Sequence, residues 1–262
     1  MKDITVIIPV LLNQLNSNEL TNAVMSVAEC QKYYTDGKLK VMVVRPNDTA
    51  TDDPQFDGGI EVEYVYNDGK IDYCSQINFG VKHVDTEYFS ILEFDDYYNK
   101  KWFNMFNNYF LTNEDVSIFL PINVLHNATT NEREFVNDAV WASSFSNEIG
   151  YIDFDCLQAS ASFNLTGGIF KTADWLGYKP SIEVAFNYEY LLRATNKGQR
   201  IFVVPKEGYH HEIFKKGSLS QHYLDTIKDE DNMKWFEATK REYSFDEDRN
   251  KGIINIKEDE LK

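Results

Sequence analysis

Residues 90–98 read SILEFDDYY, which sets three carboxylates, Glu93, Asp95 and Asp96, directly behind the apolar run Tyr88 to Leu92. Two like unit charges about 6 Å apart repel by roughly 3 kcal/mol at an effective dielectric near 20, against under about 1 kcal/mol in water. Fully solvated, the cluster needs no explanation; in a cleft, it needs a cation. A second group able to do chemistry is the pair His210 and His211 in GYHHEIFKKGS. Neighbouring residues on a strand point to opposite faces, so at most one of the two faces a given site. Lys215 and Lys216 follow in a loop suited either to an anion or to solvent.

The elements that must hold these groups can be read from periodicity. ITVIIPV (residues 4–10) is a continuous β-branched run, the pattern of a strand buried on both faces of a parallel sheet. An amphipathic helix follows, with a start signal at Asn16 (Asn-x-x-Glu). Its apolar face is Leu20, Ala23, Val24, Val27 and Ala28, and Asp36-Gly37 stops it. KLKVMVVRPND supplies a second buried strand ending near Arg45, and IEVEYVY a third that alternates. A helix over Tyr73–Val81 and a strand over Tyr88–Leu92 complete a β-α-β-β-α-β order, which predicts a doubly wound sheet. In such sheets ligands sit outside the carboxyl ends of the strands, where the carboxylate cluster falls, so its functional reading outweighs the solvated one.

Further on, KWFNMFNNYF predicts a helix and VSIFLPINV a strand, while residues 125–160 are Asn- and Ser-rich and too weakly periodic to assign. ASFNLTGGIFK suggests a strand bent at Gly167-Gly168. A helix is expected from about Ile182 to Thr195, closed by Gly198, and RIFVVP is a last buried strand ending at Pro205. From Ser218 the chain is strongly charged and reads as a solvated helical appendage.

The 262 residues, 43% hydrophobic and 15% aromatic, are those of a folded α/β protein with an ample core. A net charge of −16 argues against broad contact with phosphate backbones or anionic membranes. Cys30, Cys74 and Cys156 have neither disulfide nor zinc spacing, which points to reduced thiols and a cytoplasmic setting. No stretch has the ~20 apolar residues of a membrane span, and the N-terminus lacks the features of a signal peptide.

Taken in order, ITVIIPV, the Asp after the second strand, NDGKIDYCSQINFG, EYFSILEFDDYY, LTGGIFK, NYEYLLRATNKGQRIFVVP and GYHHEIFKKGS resemble family-2-type glycosyltransferases of the GT-A fold over residues 3–220. The resemblance implies a GT-A-like, doubly wound, mostly parallel sheet flanked by helices, with a helical C-terminal extension. Residues 1–115 would form the nucleotide-sugar half, 116–217 the acceptor half of the same domain, and 218–262 a charged helical tail. It implies a metal-dependent transferase moving a sugar from a nucleoside diphosphate, UDP above all, to an acceptor hydroxyl. Pro9, Val10 and Leu11 would hold the nucleoside, and Asp48 the base or ribose, with Asp52 and Asp53 close by. Gln76, Asn78 and Gly80 fall on a donor-facing segment, with Ile77 where an Arg is common. The Asp-x-Asp signature falls on Glu93-Phe94-Asp95, with Asp96 following: Glu93 toward the ribose, Asp95 on the metal. Mn²⁺ or Mg²⁺ suits such oxygen ligands and neutralises a departing diphosphate. A histidine completes the shell in some members, and His211, nearer the lysine loop, is the preferred one here.

Inverting members carry an acidic pair where this chain has Phe186 and Asn187. An amide cannot take a proton, which leaves Glu183 as the expected base, with Asp174 a further candidate; a retaining enzyme would need neither. The acceptor is expected to be a glycan or other hydroxyl-bearing molecule, with nucleic acid disfavoured by charge. Trp102, Phe103, Trp141, Tyr151 and Trp175 are candidates for stacking on sugars or for the core. A nucleotidyltransferase would want a Gly-rich, basic loop after the first strand, and LLNQLNSNE has neither. A non-catalytic sugar-nucleotide-binding or scaffold protein on the same fold is the alternative.

Overall fold

The structure, a computed structural model, describes residues 2–180, 182, 185–213 and 229–244, the side chains of the last segment over 234–243. In chain order the elements are β1 (Ile4–Pro9), α1 (Asn18–Gln31), β2 (Leu39–Pro46), β3 (Glu61–Asn67), α2 (Tyr73–Val81), β4 (Tyr88–Ile91) and β5 (Tyr97–Tyr98). They continue with α3 (Trp102–Phe110), β6 (Val116–Asn127), β7 (Arg133–Val136), β8 (Tyr151–Ile152), α4 (Phe154–Ala159), β9 (Ile169–Lys171), α5 (Phe186–Asn196), β10 (Arg200–Ile213) and α6 (Asp229–Ser244). The order across the sheet is β3-β2-β1-β4-β9-β6-β10-β5, with β7 on β6 and β8 on β10. β1, β2, β3, β4, β6 and β10 all point the same way, and the short β5, β7, β8 and β9 run against them. One sheet therefore runs through both sequence halves.

The β-branched run of β1 is apolar on both sides because both sides are covered. Ile4, Val6 and Ile8 meet α1 and α3, while Ile7 joins Met42 and Val44 against α2, α4 and α5. β3 alternates because it is an edge strand, and its exposed Glu61 and Glu63 blunt that edge against pairing with another chain. The cap of α1 is Ser17, one residue after the expected Asn16: its Oγ accepts from the Leu20 amide at 3.1 Å. Residues 125–160 hold the end of β6, β7, β8 and α4, elements too short for a periodicity to show.

Two other boundaries differ from expectation. α5 begins at Phe186, four residues after Ile182. β10 does not stop at Pro205 but continues to Ile213 through a bulge. Val203 pairs with Leu120 and Glu207 with Ile122, so Val204, Pro205 and Lys206 stand opposite Pro121 alone. Neither proline has an N–H to give the ladder, and the bulge absorbs that mismatch. α6 is helical as expected, but one face is packed: Thr239 and Tyr243 are buried, and Tyr243 bonds Glu189 of α5. Among the described residues, no helix is long and apolar enough to cross a membrane.

Candidate functional site

The carboxyl ends of β1, β2 and β4 meet at one edge of the sheet. Leu92 N–H donates to the Ile7 carbonyl at 3.0 Å and Val10 N–H to that of Val44 at 2.9 Å, which extends the ladder to the strand ends. There the chain turns, Asp96 N–H reaching the Glu93 carbonyl at 3.2 Å, and returns as β5. β5 pairs with β10, Tyr98 opposite Tyr209 and Tyr97 opposite His210. That pairing brings the far end of the second half against the acidic turn.

Asp96 is the buried centre of the turn, 2% exposed. Its Oδ2 accepts from Tyr209 Oη at 2.7 Å and meets His211 Nδ1 at 2.5 Å, and its Oδ1 accepts from the Glu212 amide at 3.2 Å. Tyr209 Oη also accepts from the Glu93 amide at 3.1 Å, so one phenol ties the carboxylate turn to β10. Gly167 (φ +77°) makes room for that phenol, since a Cβ there would lie 2.5 Å from the Tyr209 ring. Glu93, Asp96 and His211 bring one donor atom each within 4.8 Å of one another.

The charges are unbalanced in a way that suits a cation. Burial, together with Asp96 and Asp95 and against the pull of His211, pushes Glu93 up to about 7. Burial works against a charged His211, yet Asp96 overrides it and raises the imidazole to about 10. Three carboxylates, Asp96, Glu93 and Asp95, thus act on one imidazolium, which offsets only part of their charge. With the His211 proton displaced by the metal, its imidazole and the two carboxylates would make a donor set for Mn²⁺ or Mg²⁺, and a spread of up to 4.8 Å is close to the roughly 4.2 Å across an octahedral ion. Asp95, half-buried in the same turn, lies outside that group of three.

Of the other sequence candidates, those that follow β1, β2 and β3 lie at the same edge, whereas Asp174, bonded to Ser117 at the start of β6, lies at the opposite end of the strands. Pro9 and Val10 are buried at the end of β1, and Leu11 is exposed. Asp48 caps its own loop, accepting from Thr51 Oγ1 at 2.6 Å and the Ala50 amide at 2.9 Å. That loop is folded around Arg45, 1% exposed, which pairs with Asp53 and donates to the carbonyls of Asp48 at 2.7 Å and Thr51 at 3.0 Å. Gln76, in α2, is buried, and its Oε1 has no hydrogen-bond partner. Asn78 holds the Tyr178 backbone through bonds of 2.7 and 2.8 Å. Phe94 packs against the core. His210 faces away from Asp96 and stacks on Tyr97 at 4.8 Å. Asn187 accepts from Tyr178 Oη at 3.1 Å, and Asp174 accepts from Ser117 Oγ at 2.7 Å. Glu183 lies outside the described residues. Trp102 and Phe103 are wholly buried, Trp141 and Tyr151 pack on Phe202, and Trp175 packs among Phe89, Phe170, Tyr178 and Tyr190.

Tyr209 and Tyr73 are site residues that sequence reasoning missed. Tyr73 opens α2; its hydroxyl is buried without a hydrogen-bond partner, and burial and then the Glu93 carboxylate push it well above its ordinary range. Nothing in the local sequence marks either residue, apart from the place of Tyr209 beside the histidine pair.

This sheet, with an acidic turn at the exit of its fourth strand, defines a GT-A-like glycosyltransferase fold. Solved structures of S. aureus TarS superpose on it. The form spanning residues 1–349 gives a TM-score of 0.58 at 16% identity, covering 95% of this chain and 74% of that one. The same form in complex with UDP-GlcNAc gives 0.59 at 14% identity, covering 95% and 75%, and a UDP complex gives 0.57. Against a longer TarS structure the TM-score is 0.55 at 17% identity, and this chain spans 37% of its length. No family model matches the sequence, and no curated protein matches it.

Proposed function

We propose that the protein is a glycosyltransferase that takes a sugar from a nucleoside diphosphate sugar, UDP-linked above all, and passes it to an acceptor hydroxyl. The observation that carries this reading is the carboxylate turn after β4, clasped by Tyr209 and His211 of β10, on a fold shared with a protein solved with UDP and UDP-GlcNAc.

In this reading the strand ends at Pro9, Val10 and Leu11 and the loop carrying Asp48 form the nucleoside seat, with Gln76 and Asn78 beside it. Glu93 and Phe94 face the ribose. Mn²⁺ or Mg²⁺, held by Asp95 and His211 with Glu93 and Asp96 in reach, would neutralise the diphosphate as it leaves. Asp96 orients His211, and the buried Tyr209 fixes Asp96, so the turn is preorganised before the donor arrives. Asn187 cannot deprotonate an acceptor, and Glu183 is the proposed base. The alternative, a binding protein on this fold, is favoured by the amide at Asn187 and predicts donor binding without turnover.

The test is thermal unfolding with UDP-, GDP- and dTDP-sugars, with and without Mn²⁺. A donor at 100 times its dissociation constant adds about 2.7 kcal/mol of stability. The expected result is a UDP-sugar shift that needs the metal and disappears in Asp95→Asn. No shift with any donor defeats the reading. Glu183→Gln is expected to bind donor normally and lose transfer; normal turnover removes Glu183 from the role of base.

A further inference from the structure

The β10 bulge lines a cleft of about 450 Å³. Its walls come from β7 (Phe135), the turn after it (Asp138), the turn after β5 (Asn99), α3 (Met105), β6 (Ile122) and the bulge (Pro205, Lys206 and Glu207). Phe135 is half-exposed on β7, a strand whose residues are mostly exposed, and it is part of the cleft lining. Among the described residues, the side chains of Asp138, Lys206 and Glu207 make no hydrogen bond or ion pair. Two of its walls adjoin the elements that carry the site: Asn99, three residues after Asp96, donates its N–H to the Gly208 carbonyl at 2.9 Å, and Glu207 lies two residues before Tyr209.

We propose that this cleft is the acceptor subsite and that its occupant is a neutral glycan segment. The assignment rests on the nucleotide-sugar reading above. An apolar ring with donors and acceptors around it matches a pyranose, which has an apolar face and an equatorial rim of hydroxyls, each both donor and acceptor. Asp138 and Glu207 accept from such hydroxyls, Lys206 and the Asn99 amide donate to them, and Phe135 carries the sugar face. Two carboxylates against one ammonium, on a chain of net charge −16, disfavour a phosphate-rich or otherwise anionic chain. The aromatic residues singled out in the sequence for stacking are interior, which leaves Phe135 as the platform facing this cleft.

The experiment is binding of the full chain to an immobilised array of neutral and anionic glycans, with UDP-sugar affinity measured in parallel by calorimetry. Wild type is expected to retain neutral glycans. Phe135→Ala and Asp138→Asn, both on exposed residues, are expected to lose at least tenfold in glycan binding with UDP-sugar affinity unchanged. Retention of anionic glycans alone, of no glycan, or of neutral glycans equally by wild type and both variants overturns the proposal while UDP-sugar binding stands. Loss of UDP-sugar binding by wild type itself overturns the transferase reading, and the subsite falls with it.

Discussion

Tyr209 shows how much of the candidate site depends on one side chain. Its hydroxyl accepts from the Glu93 amide and donates to Asp96, and it is wholly buried. Tyr209→Phe keeps the ring against Gly167 but leaves a buried amide and a buried carboxylate each one partner short. Such a deletion costs about 1–3 kcal/mol, and urea unfolding of the variant is expected to show a loss in that range. An unchanged midpoint would mean that Asp96 is held by His211 and the Glu212 amide alone. At this scale the sequence was informative about types and mute about pairing. Three carboxylates in four residues announced a charged turn, but which of them would be buried depends on what packs there from 113 residues away.

Among the elements, β10 does most to assemble the site, and only its first half was legible. Pro205 reads as a stop because it ends a ladder bond, yet the strand resumes at Glu207 once the bulge has absorbed the two prolines. The tight approach that follows is set by Gly167, whose left-handed backbone and missing Cβ admit the Tyr209 ring. Gly167→Ala meets both a strained φ and a 2.5 Å contact with that ring, so a destabilisation above about 1 kcal/mol is expected, with a weakened donor shift. A variant as stable as wild type that binds donor normally would show that the ring can move without consequence. By contrast β1, β2 and α1 were readable from periodicity alone, because each buries whole faces against neighbours close in sequence.

For the molecule as a whole, α6 is tied to α5 through a buried charge. Glu189 is fully buried and accepts from Arg193 at 2.8 and 3.0 Å, meets Lys179 at 3.1 Å and bonds Tyr243 of α6. Burial alone would raise its carboxyl; Arg193, Tyr243 and Lys179 outweigh that and hold it below the ordinary range. A depressed carboxylate contributes stability above its unfolded pKa of about 4.3, and that contribution fades as pH falls through the lower folded value. Wild-type unfolding free energy is therefore expected to drop as pH falls below about 4.3. Glu189→Gln should start lower at neutral pH and show a flatter acid limb. Parallel acid limbs in the two proteins would deny Glu189 this role. Arg193 also donates to the carbonyls of Leu176 and Gly177, next to Tyr178, which bonds Asn187, so this network braces the loop beside the candidate site.

The sequence by itself determined the α/β class, the parallel run of the first strands, the acidic turn at the exit of β4 and the candidate pair of histidines. These are local properties, written in periodicity and in residue types close together along the chain. Only the tertiary structure decided that Asp96 is the buried carboxylate, that His211 rather than His210 faces it, that Tyr209 locks the turn, and that a half-exposed Phe135 lines a cleft. Each of these depends on β10 lying against β5 and β6. Those pairings join residues more than eighty positions apart, and no local pattern records such a register.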